Sequence, residues 1–297
     1  MAKKGNVING WLVIDKKQGM TSTDVVRALK RSLQPAKIGH AGTLDPLASG
    51  VLPVALGEAT KTIPYLLEST KDYIFTVRFG EERDTDDVDG QVTARSEKRP
   101  RAAEIRKALP AFIGSIRQVP PRFSAVKVSG QRAYALARAG EAVELKERPV
   151  RIEAFELLET GPGGAYARFR VTCGSGTYIR ALARDLGRAL GSRGCIEAIR
   201  RTRVGPFAES HAISLDNQIP LGHSAPALEA LLPVITALDD IPALAVTEGE
   251  AARIRRGEAV KLPTTQSGTV RITSQGALVA LAEVGAGTAK AKRVFNL

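Results

Sequence analysis

The chain has few cysteines and no long apolar run. Its two cysteines, Cys173 and Cys195, lack the spacing of metal ligands. No segment reaches the roughly 18 apolar residues that a membrane-spanning helix needs. Residues 1–5 are not followed by the apolar core of an export signal. These absences predict a cytoplasmic protein, outside the membrane, whose two cysteines are free thiols.

Acidic residues are outnumbered by basic ones. Asp and Glu total 31 against 43 Lys and Arg, which gives a formal net charge of +12. Such an excess describes the partners of a protein rather than its fold. Nucleic acid is the first polyanion to expect, and an anionic membrane surface is the second. With 297 residues and 43% hydrophobic content, the chain can form one large domain plus a small one, or two medium ones.

Motifs for metal or nucleotide cofactors are also lacking. The nearest candidate is the acidic stretch at residues 84–90, which resembles the start of an EF-hand loop. Counting back from Gly90 puts Thr85 at the first ligand position, and no Glu closes a twelve-residue loop. We therefore exclude calcium and leave two interpretations open, a polar hairpin turn and a stretch that positions an arginine. The sequence predicts neither a metal nor a cofactor.

Hydrophobic periodicity predicts a mixture of helices and strands. Alternation at residues 73–79 and 167–173 is typical of half-buried strands. An apolar stripe after residue 178 predicts a helix, and so do the patterns at residues 22–33 and 104–116. A short helix is expected near residues 228–238, in a stretch that contains several prolines.

One carboxylate lies in an unusual loop, GHAGTLDPLASG, at residues 39–50. Its glycines permit backbone conformations that other residues resist. Pro46 disfavours helical angles at Asp45, so we expect Asp45 on an extended loop that a substrate can approach. Composition alone also favours an ordinary Asx-type turn at this position.

This loop and its continuation, VLPVALGEATK at residues 51–61, closely resemble the catalytic motif of the TruB-type tRNA pseudouridine synthases, which modify the T-loop uridine. A second match is GTYIR at residues 176–180. The resemblance covers most of residues 12–205. It implies that Asp45 is the catalytic carboxylate.

The resemblance implies roles for two further residues of the catalytic centre. Tyr73 matches an active-site tyrosine that packs against the uracil, although its strand pattern alone favours a core position. Arg180 matches an arginine that pairs with the catalytic Asp, and its planar fork suits a carboxylate. An ordinary surface position on a helix is the alternative for Arg180.

Five more residues are implied as substrate-binding positions or their supports. Tyr178 and Ile199 match pocket residues, His40 matches a stacking histidine, and Asp87 matches an Asp that steadies the arginine. Simple core packing is the alternative for Ile199, and a solvent or core position is the alternative for His40. Lys16 is retained from the N-terminal D-K-P-x-G-x-[ST]-S motif of the family, where Lys17 replaces the proline.

The expected architecture is α+β. The resemblance implies a pseudouridine synthase fold with a mixed, largely antiparallel sheet and flanking helices over residues 1–240. A basic insertion at about residues 119–150 interleaves aromatic and cationic side chains, which suits RNA binding, although a solvated hairpin plus helix fits equally well. Its members are Arg122, Phe123, Lys127, Arg132, Tyr134, Arg138, Lys146 and Arg148. Residues 241–297 resemble a PUA domain, a small RNA-binding β pseudo-barrel.

The resemblance implies a cofactor-free enzyme that isomerises uridine 55 in the T-arm of tRNA. We expect a monomer that needs no protein partner. Two alternatives stay open at the level of sequence. One is an RNA chaperone that binds the tRNA elbow with secondary catalysis, and the other is a related enzyme that uses guide RNA and partner proteins.

Overall fold

The structure is a computed structural model that describes residues 5–124, 126–128, 131–139, 145–215 and 225–297. Its strands, in chain order, are β1 (Gly10–Lys16), β2 (Ile38–His40), β3 (Ser49–Leu56), β4 (Lys71–Phe79), β5 (Glu81–Arg83), β6 (Val92–Arg95), β7 (Gly114–Gln118), β8 (Lys127–Val128), β9 (Gln131–Arg132), β10 (Arg148–Thr160), β11 (Tyr166–Cys173), β12 (Gly194–Val204), β13 (Phe207–Ala208), β14 (Ala212–Ile213), β15 (Ala243–Ala245), β16 (Val260–Lys261), β17 (Gly268–Ser274), β18 (Ala277–Gly285) and β19 (Thr288–Val294).

The α-helices of the described residues are α1 (Ser22–Leu33), α2 (Ile63–Glu68), α3 (Ala102–Ala108), α4 (Ala133–Arg138), α5 (Ile179–Ala189), α6 (Ala225–Glu229) and α7 (Glu248–Arg255). Short 3₁₀ segments lie at Gly57–Thr62, Leu109–Phe112, Pro162–Gly164, Glu209–His211 and Val234–Leu238. Among these helices, none is long and apolar enough to cross a membrane.

A ten-stranded sheet forms the centre of the larger part of the molecule, with the order β14-β1-β3-β12-β4-β11-β10-β7 and with β2 and β13 paired at its side. Parallel pairing occurs between β1 and β14 and between β3 and β12. The other pairs are antiparallel. The predicted α+β fold with a mixed, largely antiparallel sheet is thus confirmed.

The core explains why the strand predictions succeeded. On β4 the side chains of Tyr73, Phe75, Val77 and Phe79 are buried in alternation with more exposed neighbours. The predicted helix over residues 104–116 was wrong in its second half. Helix α3 ends at Ala108, Pro110 lies in a 3₁₀ turn, and Gly114 begins a strand with φ of 96°. Proline ends helices because it lacks an N–H group, and glycine accepts this positive φ without strain.

The C-terminal residues form a separate five-stranded sheet in the order β15-β17-β18-β19-β16, with α7 packed against it. The predicted small β module is therefore present. It is joined to the larger sheet by a common apolar core, because Leu281 and Phe295 pack in the same cluster as Trp11 and Phe207.

Parts of the basic insertion are described. A short hairpin, β8 and β9, leads into α4. The side chains of Lys127, Arg132 and Arg138 lie outside the described part of the structure, whereas Arg122 and Lys146 are exposed.

Candidate active site

The loop that carries Asp45 connects β2 to β3 and is fixed at its centre by α1. The hydroxyl of Ser22, the first residue of α1, accepts a hydrogen bond from the Leu44 N–H at 2.9 Å and donates one to the Leu44 carbonyl at 3.1 Å. The next turn is closed by Ala48 N–H, which donates to the Asp45 carbonyl at 3.0 Å. With the backbone held on both sides, the Asp45 side chain remains 46% exposed.

Lys16 supports this loop from behind. Its side chain is fully buried, and its Nζ donates to the carbonyl oxygens of Lys17, Met20 and Pro46 at 3.0, 2.7 and 3.5 Å. Burial lowers the pKa of Lys16 to about 8, and the Asp45 carboxylate opposes this effect. The family resemblance implied that Lys16 is a substrate-binding residue. A fully buried side chain cannot contact a substrate, so its geometry is that of a support for the loop.

Arg180 is the direct partner of Asp45. Its Nε lies 2.9 Å from Asp45 Oδ2, so the expected ion pair is present. The pair uses one guanidinium nitrogen, because the other two donate to the carbonyl oxygens of Thr85 at 2.7 Å and Phe123 at 2.9 Å. Arg180 is buried, and all three of its nitrogens are engaged. This arrangement holds the guanidinium in one orientation toward the carboxylate.

Asp87 lies on the far side of Arg180, with 3.6 Å between Asp87 Oδ2 and Arg180 Nη1. The hydroxyl of Thr85 donates to Asp87 Oδ1 at 2.6 Å, and Asp89 N–H donates to the same atom at 3.2 Å. Burial raises the pKa of Asp87, while these hydrogen bonds and Arg180 oppose the shift. The acidic stretch thus forms the turn between β5 and β6, and it also contacts Arg180 through Asp87. The structure therefore contains both features that the sequence left as alternatives, a hairpin turn and a stretch beside an arginine. The described residues contain no group of three or more side chains arranged to bind a metal.

A cavity of about 340 Å³ opens beside Asp45 and brings most of the predicted site residues together. Tyr73, Tyr178 and Ile199 line it along with Arg180. Tyr73 is buried, which raises the pKa of its phenol, and the neighbouring guanidinium of Arg201 opposes that shift. Tyr178 precedes α5 and is held through its backbone, because Gln118 exchanges two hydrogen bonds with it at 2.9 and 3.2 Å.

His40 lies in an adjoining cavity of about 420 Å³ that shares Asp45 and Arg180 with the first. Its Nδ1 is buried and has no hydrogen-bond partner among the described residues. Burial lowers the pKa of His40, and Arg201 lowers it further. The imidazole therefore favours its neutral form in this site.

Sequence reasoning missed Arg201, which lies beside Tyr73 in the register of β12 and β4. The side chain is 1% exposed, and it donates to the carbonyl oxygens of Val51 and Gly42, both at 2.8 Å. It thereby fixes the start of the Asp45 loop. The signal was present in the alternation along β12, which places residues 199 and 201 on one face of the strand.

Lys71 was missed as well. It lines the cavity, and its Nζ donates to the carbonyl oxygens of Leu67 at 2.9 Å and Ser69 at 2.7 Å, where α2 ends. Burial lowers the pKa of Lys71 to about 8. Among the cavity-lining residues, Lys71, Arg180 and Arg201 are cationic and Asp45 is the carboxylate. The excess of cationic over anionic side chains in this lining suits an anionic ligand.

Comparison with known proteins agrees with this geometry. The profile of the TruB family pseudouridylate synthase N-terminal domain matches residues 30–179, and that of the tRNA pseudouridylate synthase B C-terminal domain matches residues 180–225. The chain is 56% identical to tRNA pseudouridine synthase B of Bradyrhizobium diazoefficiens over 98% of this chain and 86% of that protein. It is 50% identical to the protein of the same name from Rhodospirillum rubrum, over 99% of both chains.

A solved structure, an H/ACA RNP bound to a substrate RNA containing 2'-deoxyuridine, includes a chain of the same fold. The TM-score is 0.75 at 26% identity, and the alignment covers 97% of this chain and 85% of that chain. Together with the matches in sequence, these findings show that the chain belongs to the TruB family of pseudouridylate synthases. It is a pseudouridine synthase, which is an isomerase.

Proposed function

We propose that this TruB-family enzyme converts uridine 55, in the T-loop of tRNA, to pseudouridine, and that Asp45 is its catalytic carboxylate. The observation that carries the proposal is the pair formed by Asp45 and Arg180, 2.9 Å apart at the mouth of a cavity walled by two tyrosines. Relatives that are named tRNA pseudouridine synthase B and are 50–56% identical support tRNA as the substrate.

The reaction requires little more than a correctly positioned carboxylate. The N1–C1′ bond of the nucleoside breaks, the base turns, and a C5–C1′ bond forms. The proton on C5 is lost and N1 gains one, so atoms and charge balance without any redox change. Asp45 can attack C1′, attack C6, or take the C2′ proton, and all three routes use the carboxylate that Arg180 orients.

The walls of the cavity would hold the uracil during this sequence. Tyr73 and Tyr178 offer ring surfaces, and Ile199 offers an apolar contact. A uridine inside a folded loop must first be extruded, which costs a few kcal/mol and is repaid by stacking and hydrogen bonds in the site. His40 lines the adjoining cavity, where its ring would stack on the flipped-out nucleotide.

Other parts of the molecule would bind the tRNA outside the target nucleotide. We assign residues 1–240 to catalysis and residues 241–297 to a PUA-like RNA-binding domain, and the five-stranded sheet begins at Ala243. Exposed cations of the insertion, such as Arg122 and Lys146, are available for phosphates. Binding through phosphates releases counterions, so tRNA affinity should fall steeply as salt rises. We take the enzyme to act as a monomer in the cytoplasm, without a protein partner.

The test is to map the product on an unmodified tRNA transcript with a reagent that marks pseudouridine and blocks primer extension. The proposal predicts one new stop, at the T-loop uridine. A transcript with cytidine at that position should show no new stop and should still bind. New stops only at other positions would contradict the assigned target uridine. No new stop in the presence of tight binding would contradict the proposed activity and favour the RNA-chaperone alternative.

A further inference from the structure

A second buried arginine lies one helical turn after Arg180 on α5. Arg184 Nη1 is 3.0 Å from Asp86 Oδ2, and Arg184 Nη2 donates to the Val119 carbonyl at 2.8 Å. Its Nε donates to Asp185 Oδ1 at 2.8 Å. Arg184 is 8% exposed and Asp86 is 5% exposed. Arg184 does not line the cavity beside Asp45, so its role must act through other residues.

The two arginines make parallel sets of contacts, because residues four apart lie on one face of a helix. Arg180 binds the carbonyl oxygens of Thr85 and Phe123. Arg184 binds the Asp86 side chain and the Val119 carbonyl. Each guanidinium therefore connects the acidic turn, residues 84–87, to the first residues of the basic insertion.

Asp86 occupies a strained position at the centre of this turn. Its φ is 61°, in the left-handed region that few residues other than glycine adopt. Its N–H donates to the Arg83 carbonyl at 3.0 Å, and its carbonyl accepts from Ile196 N–H at 3.0 Å. Such a conformation persists only where the surroundings determine it, and the contact with Arg184 is the charged part of those surroundings.

We infer that Arg184 and Asp86 are a positioning pair for the pseudouridine reaction, which holds the acidic turn against Arg180 and thereby orients Asp45. Thr85 and Asp87 flank Asp86 in the chain, and both contact Arg180 Nη1. A shift of Asp86 therefore moves two partners of that guanidinium at once. Small displacements of a catalytic group reduce rates strongly, so the pair affects turnover without contacting the substrate. This inference rests on the proposed function.

The pH dependence of the reaction rate distinguishes a positioning role of Asp86 from a purely structural role. Burial raises the pKa of Asp86 to about 6, against the opposing effects of Arg184 and Arg180, while Asp185 and Glu82 raise it further. This pKa lies above that of an unfolded Asp, so the folded state binds the proton more tightly. Acidification through pH 6 therefore does not destabilise the fold through this group, although it removes the charge from the pair.

The experiment measures single-turnover release of tritium from C5 of the target uridine, together with tRNA binding, for Arg184→Gln, Asp86→Asn and the control Arg188→Gln. Arg188 follows on the same helix and pairs with Glu82 at the surface. The first two variants should react about tenfold more slowly, with tRNA dissociation constants within about twofold of wild type. The control should match wild type in both. Equal rates in all four proteins, or a loss of affinity that matches the loss of rate, would overturn the inference.

If Arg184→Gln does not fold, the pH dependence of the Asp86→Asn variant provides the test. Asn tolerates the left-handed region and resembles a protonated Asp. The ratio of the wild-type rate to the Asp86→Asn rate should fall from about tenfold at pH 7.5 toward equality at about pH 5. A ratio that is the same at both pH values would contradict the pair. A wild-type enzyme that releases no tritium at all would instead refute the proposed function.

Discussion

At the scale of single residues, local motifs located the two side chains that form the ion pair beside the cavity and missed the side chains that hold the surrounding backbone. Asp45 and Arg180 lie in distinctive strings, so sequence alone located both. Arg201 and Arg184 have partners about 65 to 159 positions away along the chain, at Val119, Asp86, Val51 and Gly42. The alternation along β12 places Arg201 on the same face as Ile199. It does not show which backbone groups Arg201 binds, because that depends on the register of strands distant in sequence.

Replacement of Arg180 by lysine tests the importance of a fixed guanidinium. Lysine retains the positive charge but cannot reach Asp45, Thr85 and Phe123 together, since its ammonium is a single point of donation. We expect single-turnover activity to fall about 100-fold, with tRNA affinity changed only slightly. The same change at the exposed Arg188 is the control and should leave both quantities unchanged. An Arg180→Lys enzyme as fast as the control would mean that charge alone is sufficient.

At the scale of elements, periodicity predicted β4, β11 and α5 well because each buries one regular face. It failed where an element ends through backbone chemistry, as at Pro110 and Gly114. The shape of the Asp45 loop was predictable only as extended. Contacts from α1, from the buried Lys16 and from β12 fix that loop. No local sequence pattern predicts these contacts.

The contact between α1 and this loop gives a prediction about stability. Ser22→Ala removes the hydroxyl that satisfies both backbone groups of Leu44, and leaves them buried without partners. We expect a loss of about 1–3 kcal/mol in the free energy of unfolding, measured with urea. Ser32, on the same helix, has a buried hydroxyl without a hydrogen-bond partner among the described residues, so Ser32→Ala is a matched control of near-zero cost. Equal effects of the two changes would refute this account of the loop.

At the scale of the whole molecule, the resemblance of residues 241–297 to a PUA domain predicted a small β module but not how it is attached. The module is docked on the 3₁₀ segment Gly57–Thr62. Lys61 Nζ donates to the Val294 carbonyl at 2.8 Å, and Asn296 N–H donates to Glu58 Oε2 at 2.8 Å. Phe295 is 2% exposed within the core that it shares with Trp11. The same segment leads through α2 to Tyr73, so the module contacts the part of the chain that continues into one wall of the site.

Phe295→Ala tests this docking. Removal of a buried phenylalanine costs about 3–5 kcal/mol, and here the loss should appear in the stability of the large sheet as well as of the module. We expect a single cooperative unfolding transition in urea with a lower midpoint than that of wild type. The fluorescence of Trp11 monitors this transition. Leu297→Ala, at a 61% exposed position two residues later, should change little. A Trp11 transition unaffected by Phe295→Ala would show that the two parts unfold independently. Deletion of residues after 240 would expose the same core, so point substitution is the cleaner test.

The most direct measurement of the central claim is tritium release from a tRNA transcript labelled at C5 of uridine, with wild type and Asp45→Asn side by side. Asparagine preserves the shape of the loop and removes the charge that Arg180 faces. The account predicts release by wild type, at least a 100-fold slower reaction by Asp45→Asn (on the order of a lost acid–base group), and tRNA affinity retained by both. Equal release by the two proteins would contradict the assignment of Asp45 as the catalytic carboxylate.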